Sequence, residues 1–191
     1  MKNHTAYKLA LACCGQLAEY CEKIEIAGSI RRARPEVNDI DLVCLPCAGR
    51  EEALRARIKQ RTDVVSEGQH SLIVRLRGAN TGFQLDVWFA KPRQADLLET
   101  VPGTWGTVLL CRTGSKEHNI YLATKARELG LKWETTRGLV ADPDSPKARV
   151  IASETEEEIF AALGMGFVPP ALREVGRSEV RQEAKEEGAA V

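Results

Sequence analysis

The chain has 191 residues, room for one domain or two small packed lobes. Hydrophobic residues make up 43% and charged residues 28%, so a core can be buried and a wholly disordered chain is excluded. The formal net charge of zero conceals an asymmetry: residues 151–191 carry four Arg or Lys against nine Asp or Glu, and residues 1–150 carry 23 against 18. A mildly basic body with an acidic end still permits phosphate contacts on one face. Apolar runs stay far below the roughly 18 residues of a membrane span, so no membrane partner is expected. Six cysteines at 13, 14, 21, 44, 47 and 111 do not form a disulfide framework. Cys44 and Cys47 have CxxC spacing but lack a second pair or a His at finger spacing. They read as packed thiols of a reducing, intracellular compartment, cytoplasmic or nuclear.

Residues 4–22 have apolar side chains at three- and four-residue steps (Tyr7, Leu11, Cys14, Leu17, Cys21), which predicts a helix. A short strand at Ile24–Ile26 runs into Gly28-Ser29. Asp39 to Leu45 is a second strand, and residues 50–62 are a charged helix with Ala53, Leu54 and Ile58 as its apolar side. Strands follow at 71–77 and 84–90, separated by a turn signal at 78–82. Pro92 ends that pattern, and residues 93–100 are expected to be helical. Helices are predicted at 104–112 and 116–129, a hairpin over 131–140, and a strand at 148–151. A last helix at 154–163 is expected to be capped by Ser153. Residues 1–100 are assigned to one α/β unit with a twisted mixed sheet, residues 101–175 to a smaller, mainly helical lobe, and residues 176–191 to a polar, disordered tail.

Asp39 and Asp41 are the most informative residues. A buried strand avoids lone carboxylates because their desolvation is costly, yet two stand here at spacing two, on one face of one strand. Asp86 repeats the pattern in the apolar run Leu85-Asp86-Val87-Trp88. Like charges so close repel unless a cation lies between them, and oxygen ligands alone suit Mg²⁺ completed by phosphate and water. Read alone, the pair is equally a solvated edge strand. Ten residues upstream, however, Gly28 and Ser29 end a strand where backbone N–H groups are exposed, and Arg31 and Arg32 add forked donors. A phosphate seat therefore precedes a metal seat.

Gly28-Ser29, Arg32, Asp39-x-Asp41 and Asp86 resemble the nucleotidyltransferase superfamily. Thr113-Gly-Ser-Lys-Glu-His-Asn-Ile120, Gly130-Leu-Lys132, Glu156-Glu-Glu-Ile-Phe160 and Pro169-Pro-Ala-Leu-Arg-Glu174 are similar to the DNA polymerase X family, typified by DNA polymerase beta, over roughly residues 5–175. The resemblance implies a nucleotidyltransferase palm (residues 1–100) and a C-terminal nucleotide-selecting lobe, in a minimal form without lyase activity. It implies templated, short-gap repair synthesis by two-metal phosphoryl transfer to a primer 3′-OH, by a monomer acting on primer-template or gapped DNA and nucleoside triphosphates. Asp39 and Asp41 would hold both divalent ions (Mg²⁺, or Mn²⁺), and Asp86 the catalytic one. Gly28, Ser29 and Arg32 would hold the β- and γ-phosphates. Cys111, Arg112, Thr113, Gly114, Ser115, Lys116 and Asn119 would line the sugar and base, with the Gly114–Ser115 peptide cis and Asn119 on the base's minor-groove edge.

The chain also departs from the family. Cys111-Arg112 replaces a Tyr-Phe pair that helps exclude the ribose 2′-OH, so weakened sugar discrimination is expected. Gln84 replaces a basic residue two before the third Asp. Arg75 and Arg77 share a strand face and could touch DNA phosphates, as could Lys125, Arg127 and Lys132, or they could be solvated surface. His118 is expected at the surface or in local packing. The alternatives are a template-independent or RNA- or protein-directed nucleotidyltransferase, and a degenerate binding module that has kept the fold.

Overall fold

The computed structural model describes residues 1–78, 82–95 and 100–174. Helix α1 (Asn3–Leu17) and a 3₁₀ turn (Ala18–Tyr20) lead into β1 (Cys21–Ile26), a single helical turn α2 (Gly28–Arg31) and β2 (Asp39–Pro46). Helix α3 (Glu51–Lys59), β3 (Thr62–Gly68), β4 (Ser71–Leu76) and β5 (Gln84–Phe89) follow. They complete a five-stranded sheet in the order β1-β2-β5-β4-β3, with β2 and β5 parallel and the other neighbours antiparallel. The fold is mixed α/β.

Alternation along β2 and β5 sorts the sheet into two faces. Ile40, Leu42, Cys44, Leu85, Val87 and Phe89 point to one face and are buried with Ala6, Ala10 and Leu17 of α1 and Leu54 and Ile58 of α3. Asp39, Asp41, Val43, Gln84, Asp86 and Trp88 have the opposite parity. The Val43 end of that second face is covered by Val108 and Leu109 of α4 (Trp105–Thr113). The Asp39 end is not part of that cluster.

After β6 (Gln94–Ala95) and β7 (Thr100–Val101), helices α4 and α5 (Lys116–Glu128), a three-stranded sheet of β8 (Leu131–Glu134), β9 (Gly138–Ala141) and β10 (Arg149–Ala152), and α6 (Glu156–Ala162) form the remaining structure. Their core is Leu110, Leu122, Leu139, Ile159 and Phe160. Gly106 lets α4 approach the start of α6 closely, because a Cβ there would overlap the Thr155 backbone.

The structure corrects several expectations. In α1 the buried stripe is Ala6, Ala10 and Leu17, whereas Tyr7 and Leu11 are 46% and 48% exposed. Small alanines let the helix lie close to the sheet, and the larger side chains flank the contact. In α3, Ala53 is exposed and Arg55 is buried instead. Its guanidinium is held by Glu51 and the Gly68 and Gln69 carbonyls and lies 4.1 Å from the Phe89 ring centre.

The helix expected over 93–100 is replaced, in its described part, by the antiparallel β6–β7 pair. All four of those residues are exposed, so no apolar face holds a helix there. Helix α6 is capped by Thr155, whose hydroxyl accepts from Glu158 N, and Ser153 instead donates to Gly103 O. Residues 79–81 of the expected turn and the expected disordered tail lie outside the described residues. No described helix is long and apolar enough to cross a membrane.

Candidate functional site

The parallel register sets Asp41 of β2 directly opposite Asp86 of β5, and Asp39 opposite Gln84. The three carboxylates thus share one face at adjacent positions. Each has a different setting. Gln84 Nε2 donates to Asp86 Oδ1 at 2.9 Å, and Trp88 Nε1 donates to Asp41 Oδ1 at 3.3 Å. Asp41 Oδ2 fills the space a side chain at Gly28 would need, and Gly28 has φ +59°. Only glycine suits that combination of left-handed backbone and close approach. Ala27 N–H donates to Asp41 O at 2.8 Å, tying the start of α2 to β2.

Burial pushes the Asp41 carboxyl up to about 7, reinforced by Asp39 and Asp86 against the opposing Trp88 hydrogen bond and Arg112 charge. Burial raises Asp86 as well, offset by Gln84. This cluster carries more negative charge than it neutralises. A divalent cation would supply the missing counter-charge, and an all-oxygen donor set fits Mg²⁺ or Mn²⁺. Among the described residues, no three His, Cys, Asp or Glu side chains form a ready cage for an ion. An ion held by these carboxylates would need its shell completed by substrate oxygens and water.

The Gly28-Ser29 turn borders this cluster, and Ser29 Oγ is buried with no hydrogen-bond partner among the described residues. The arginines expected beside it are engaged elsewhere. Arg31 donates to Glu156 through both terminal nitrogens at 2.8 Å and to Thr113 Oγ1 at 2.8 Å. It is a structural ion pair rather than a free phosphate donor. Arg32 donates to Glu174 and to the Thr113 carbonyl, and Arg34 also reaches Glu174 at 3.1 Å. Glu156 receives a second arginine, Arg173 Nη1, at 2.7 Å, and the Arg173 side chain is fully buried. Burial opposes ionisation of Glu156, but the two arginines outweigh it and hold its carboxyl below the usual range.

Thr113 is buried at the end of α4, and the Gly114–Ser115 peptide is cis. Ser115 Oγ caps α5 by accepting from His118 N and donates to the Arg173 carbonyl. Cys111 is partly buried, with its thiol pushed up by that burial, and Lys116 is exposed. Asn119 does not project freely: its Nδ2 donates to the Cys111 carbonyl at 2.8 Å, and its Oδ1 is buried without a partner among the described residues. His118 is buried against Phe160, and desolvation depresses it to about 4, so the surface alternative is excluded. Arg112 lies over the Trp88 ring, 3.3 Å from its centre.

Arg75, paired with Gln84 in the β4–β5 register, shares the acid-bearing face and is exposed. Arg77 follows β4 and is ion-paired with Asp63 at 2.5 Å, so the two do not form a free basic pair. Lys125 pairs with Glu128 and Lys132 with Glu134, while Arg127 is exposed. Trp88, Glu156, Arg173 and Glu174 had no expected role here. Glu156, Arg173 and Glu174 lie in stretches that carry the family resemblance, and Trp88 was visible only as part of the apolar run around Asp86.

The family model described as DNA polymerase beta thumb matches residues 108–174. A curated relative, "DNA polymerase/3'-5' exonuclease PolX" of Bacillus subtilis (strain 168), is 28% identical over 158 residues. That match covers 81% of this chain, and the chain spans about a quarter (25%) of that relative's length. Two crystal structures of Leishmania infantum polymerase beta, a ternary P/T complex and a ternary gap complex, share the fold. Each has a TM-score of 0.68, at 17% and 16% identity. They cover 91% and 92% of this chain and 76% and 71% of theirs.

Proposed function

We propose, for a chain related to the DNA polymerase X family in its thumb sequence and its fold, that it is a template-directed nucleotidyltransferase extending a primer 3′-OH on gapped or primer-template DNA. The observation that carries this reading is the register pairing of Asp41 with Asp86 beside the Gly28–Ser29 turn. It sets an under-neutralised carboxylate cluster next to an unpartnered buried hydroxyl. Residues 1–100 are the palm and residues 101–175 the nucleotide-selecting lobe.

Asp39, Asp41 and Asp86 would hold two divalent cations. Such cations, when bound, lower the pKa of the 3′-OH and offset charge on the triphosphate. The chain's own residues do the rest. Ser29 Oγ and the α2 backbone donate to the β- and γ-phosphates, as does Arg32 once its guanidinium exchanges Glu174 for phosphate oxygens. The turn at Thr113–Ser115 packs against the sugar, and Lys116 faces the base, joined by Asn119 once its Nδ2 exchanges the Cys111 carbonyl for the base edge. Gln84 fixes Asp86 through Oδ1. Arg75 reaches DNA phosphates from the open end of the same face.

Extension of a labelled primer on gapped, nicked, recessed and single-stranded DNA, with Mg²⁺ or Mn²⁺, tests this reading. Base-matched insertion on gapped DNA that is lost in Asp39→Ala/Asp41→Ala is the expected result. Extension of the single strand regardless of template would replace it with a terminal-transferase reading. Inactivity on every substrate would overturn it.

A further inference from the structure

We propose that Arg112 and Trp88 act as positioning residues that aim the Asp41 carboxylate, so that the placement of α4 is felt at the acid cluster. The proposal deepens the nucleotidyltransferase reading and rests on it. Three contacts, taken in sequence, carry it. The Arg112 guanidinium lies 3.3 Å from the centre of the Trp88 ring. The Trp88 indole N–H donates to Asp41 Oδ1 at 3.3 Å. Asp41 Oδ2 is wedged against Gly28, where no side chain could fit.

The carboxylate is therefore gripped on both oxygens, by the indole on one side and the turn backbone on the other. Of the two, the indole is the side chain, on a partly exposed residue and backed by a side chain from another element, so it is the contact that a shift elsewhere in the fold can reach. Arg112 is in the last turn of α4, two residues before Gly114, so any shift of that helix relative to the sheet slides the guanidinium across the ring. A planar cation over an aromatic face restricts the ring's tilt. Tilt decides where the N–H points, and hence which way Asp41 faces. A hydrogen bond to a metal-binding carboxylate orients it before the ion arrives, and loss of such a partner costs metal affinity. Asp39, without an indole partner, lacks this device.

The test is Mn²⁺ titrated into the purified full chain with the free ion read by electron paramagnetic resonance. The proteins are wild type, Trp88→Phe, Arg112→Lys and the double variant, each checked for an unchanged thermal transition. Trp88→Phe keeps the ring and loses the donor. Arg112→Lys keeps the charge and loses the planar stack. Trp88→Phe is expected to weaken Mn²⁺ binding about ten-fold and Arg112→Lys by less. The double variant should bind no more weakly than Trp88→Phe alone, because Arg112 acts through the indole. Wild-type affinity in Trp88→Phe, or additive losses in the double variant, would overturn the proposal while leaving the acid site intact. A wild-type chain that binds no Mn²⁺, with Asp39→Ala/Asp41→Ala indistinguishable from it, would overturn the acid-site reading and this proposal together.

Discussion

Two polar clusters touch the Gly28–Arg34 segment, one at Gly28 and one at Arg31, and they are built to opposite rules. At Glu156, one carboxylate accepts from two arginines, Arg31 and Arg173, brought from 125 residues upstream and 17 downstream. At Asp41, three carboxylates share a sheet face. Among the described residues the polar groups set against them include the Trp88 indole, the Gln84 amide and the Arg112 guanidinium stacked on that indole, with no arginine donating to any of the three. A chain free to arrange its charges neutralises them, as it does at Glu156. Leaving Asp41 under-neutralised costs stability, and that cost persists in a sequence only where something absent from the free protein repays it. The cluster at Glu156 joins the two halves of the chain, whereas the one at Asp41 is, on the proposed reading, completed by a bound cation.

The sharpest way to break that comparison is to neutralise each carboxylate in turn. Asp41→Asn removes a ligand but also removes the uncompensated charge. Primer extension should fall by on the order of a thousand-fold or more, while the melting temperature stays level or rises by a few degrees. Glu156→Gln keeps the shape and leaves Arg31 and Arg173 facing each other unpaired. It should cost about 3–5 kcal/mol, a fall of roughly 10 °C in a calorimetric scan. If both substitutions destabilise equally, the distinction between the clusters is wrong.

A smaller effect concerns acid. His118, beside the Glu156 cluster, is held neutral by burial, with the Arg173 charge also opposing protonation, and titrates near 4. In the unfolded chain it takes up a proton near 6.5. Its folded value is depressed, so acid favours the unfolded state: stability is unaffected above about 6.5 and declines as pH falls from there toward 4. Glu156, with its own carboxyl held low, adds its loss only below about 4.5. Measured in Asp41→Asn, where the most strongly raised carboxyl no longer titrates and the raised Asp86 carboxyl still opposes the trend, urea unfolding should lose on the order of 1–3 kcal/mol across that window. The same series in Asp41→Asn/His118→Gln should be flatter between 6.5 and 4.5. Equal slopes would show that His118 is not the group responsible.

How much of this was legible in the sequence follows from the range of the interactions. The acids, the Gly-Ser turn and the β4–β5 pairing are local patterns, readable from spacing two and from turn residues. That the acids converge on one patch needed only that the two strands be neighbours, whereas the register that faces Asp41 with Asp86 is set by packing that no local spacing shows. Arg31 misled because an arginine beside a Gly-Ser turn looks the same whether it awaits phosphate or is already paired with a distant carboxylate. Glu156 and Arg173 sat inside stretches of family resemblance, but their pairing spans the chain and no spacing rule reaches it. Strand β3 has one buried residue, Thr62, and so shows no alternation to read. The α1 stripe was missed because alanines barely register in a hydrophobic period.

The least perturbing test concerns Glu174. Glu174 pairs with Arg32 and Arg34 on the Gly28–Arg34 segment, next to Arg173 in the chain. Arg32 is the phosphate donor of the proposed site, so on that reading its carboxylate partner competes with the triphosphate for the guanidinium. Both side chains are partly solvated, so the pair is worth no more than about 1 kcal/mol. Its removal should be felt as a several-fold change rather than a collapse. Glu174→Gln is expected to lower the KM for the nucleotide about three-fold with kcat unchanged, because the guanidinium no longer has to exchange one anion for another. Arg32→Gln should raise that KM by a larger factor. If Glu174 instead holds Arg32 in the orientation that phosphate needs, Glu174→Gln will raise KM, and the contact belongs with the joining cluster at Glu156 rather than with the one at Asp41.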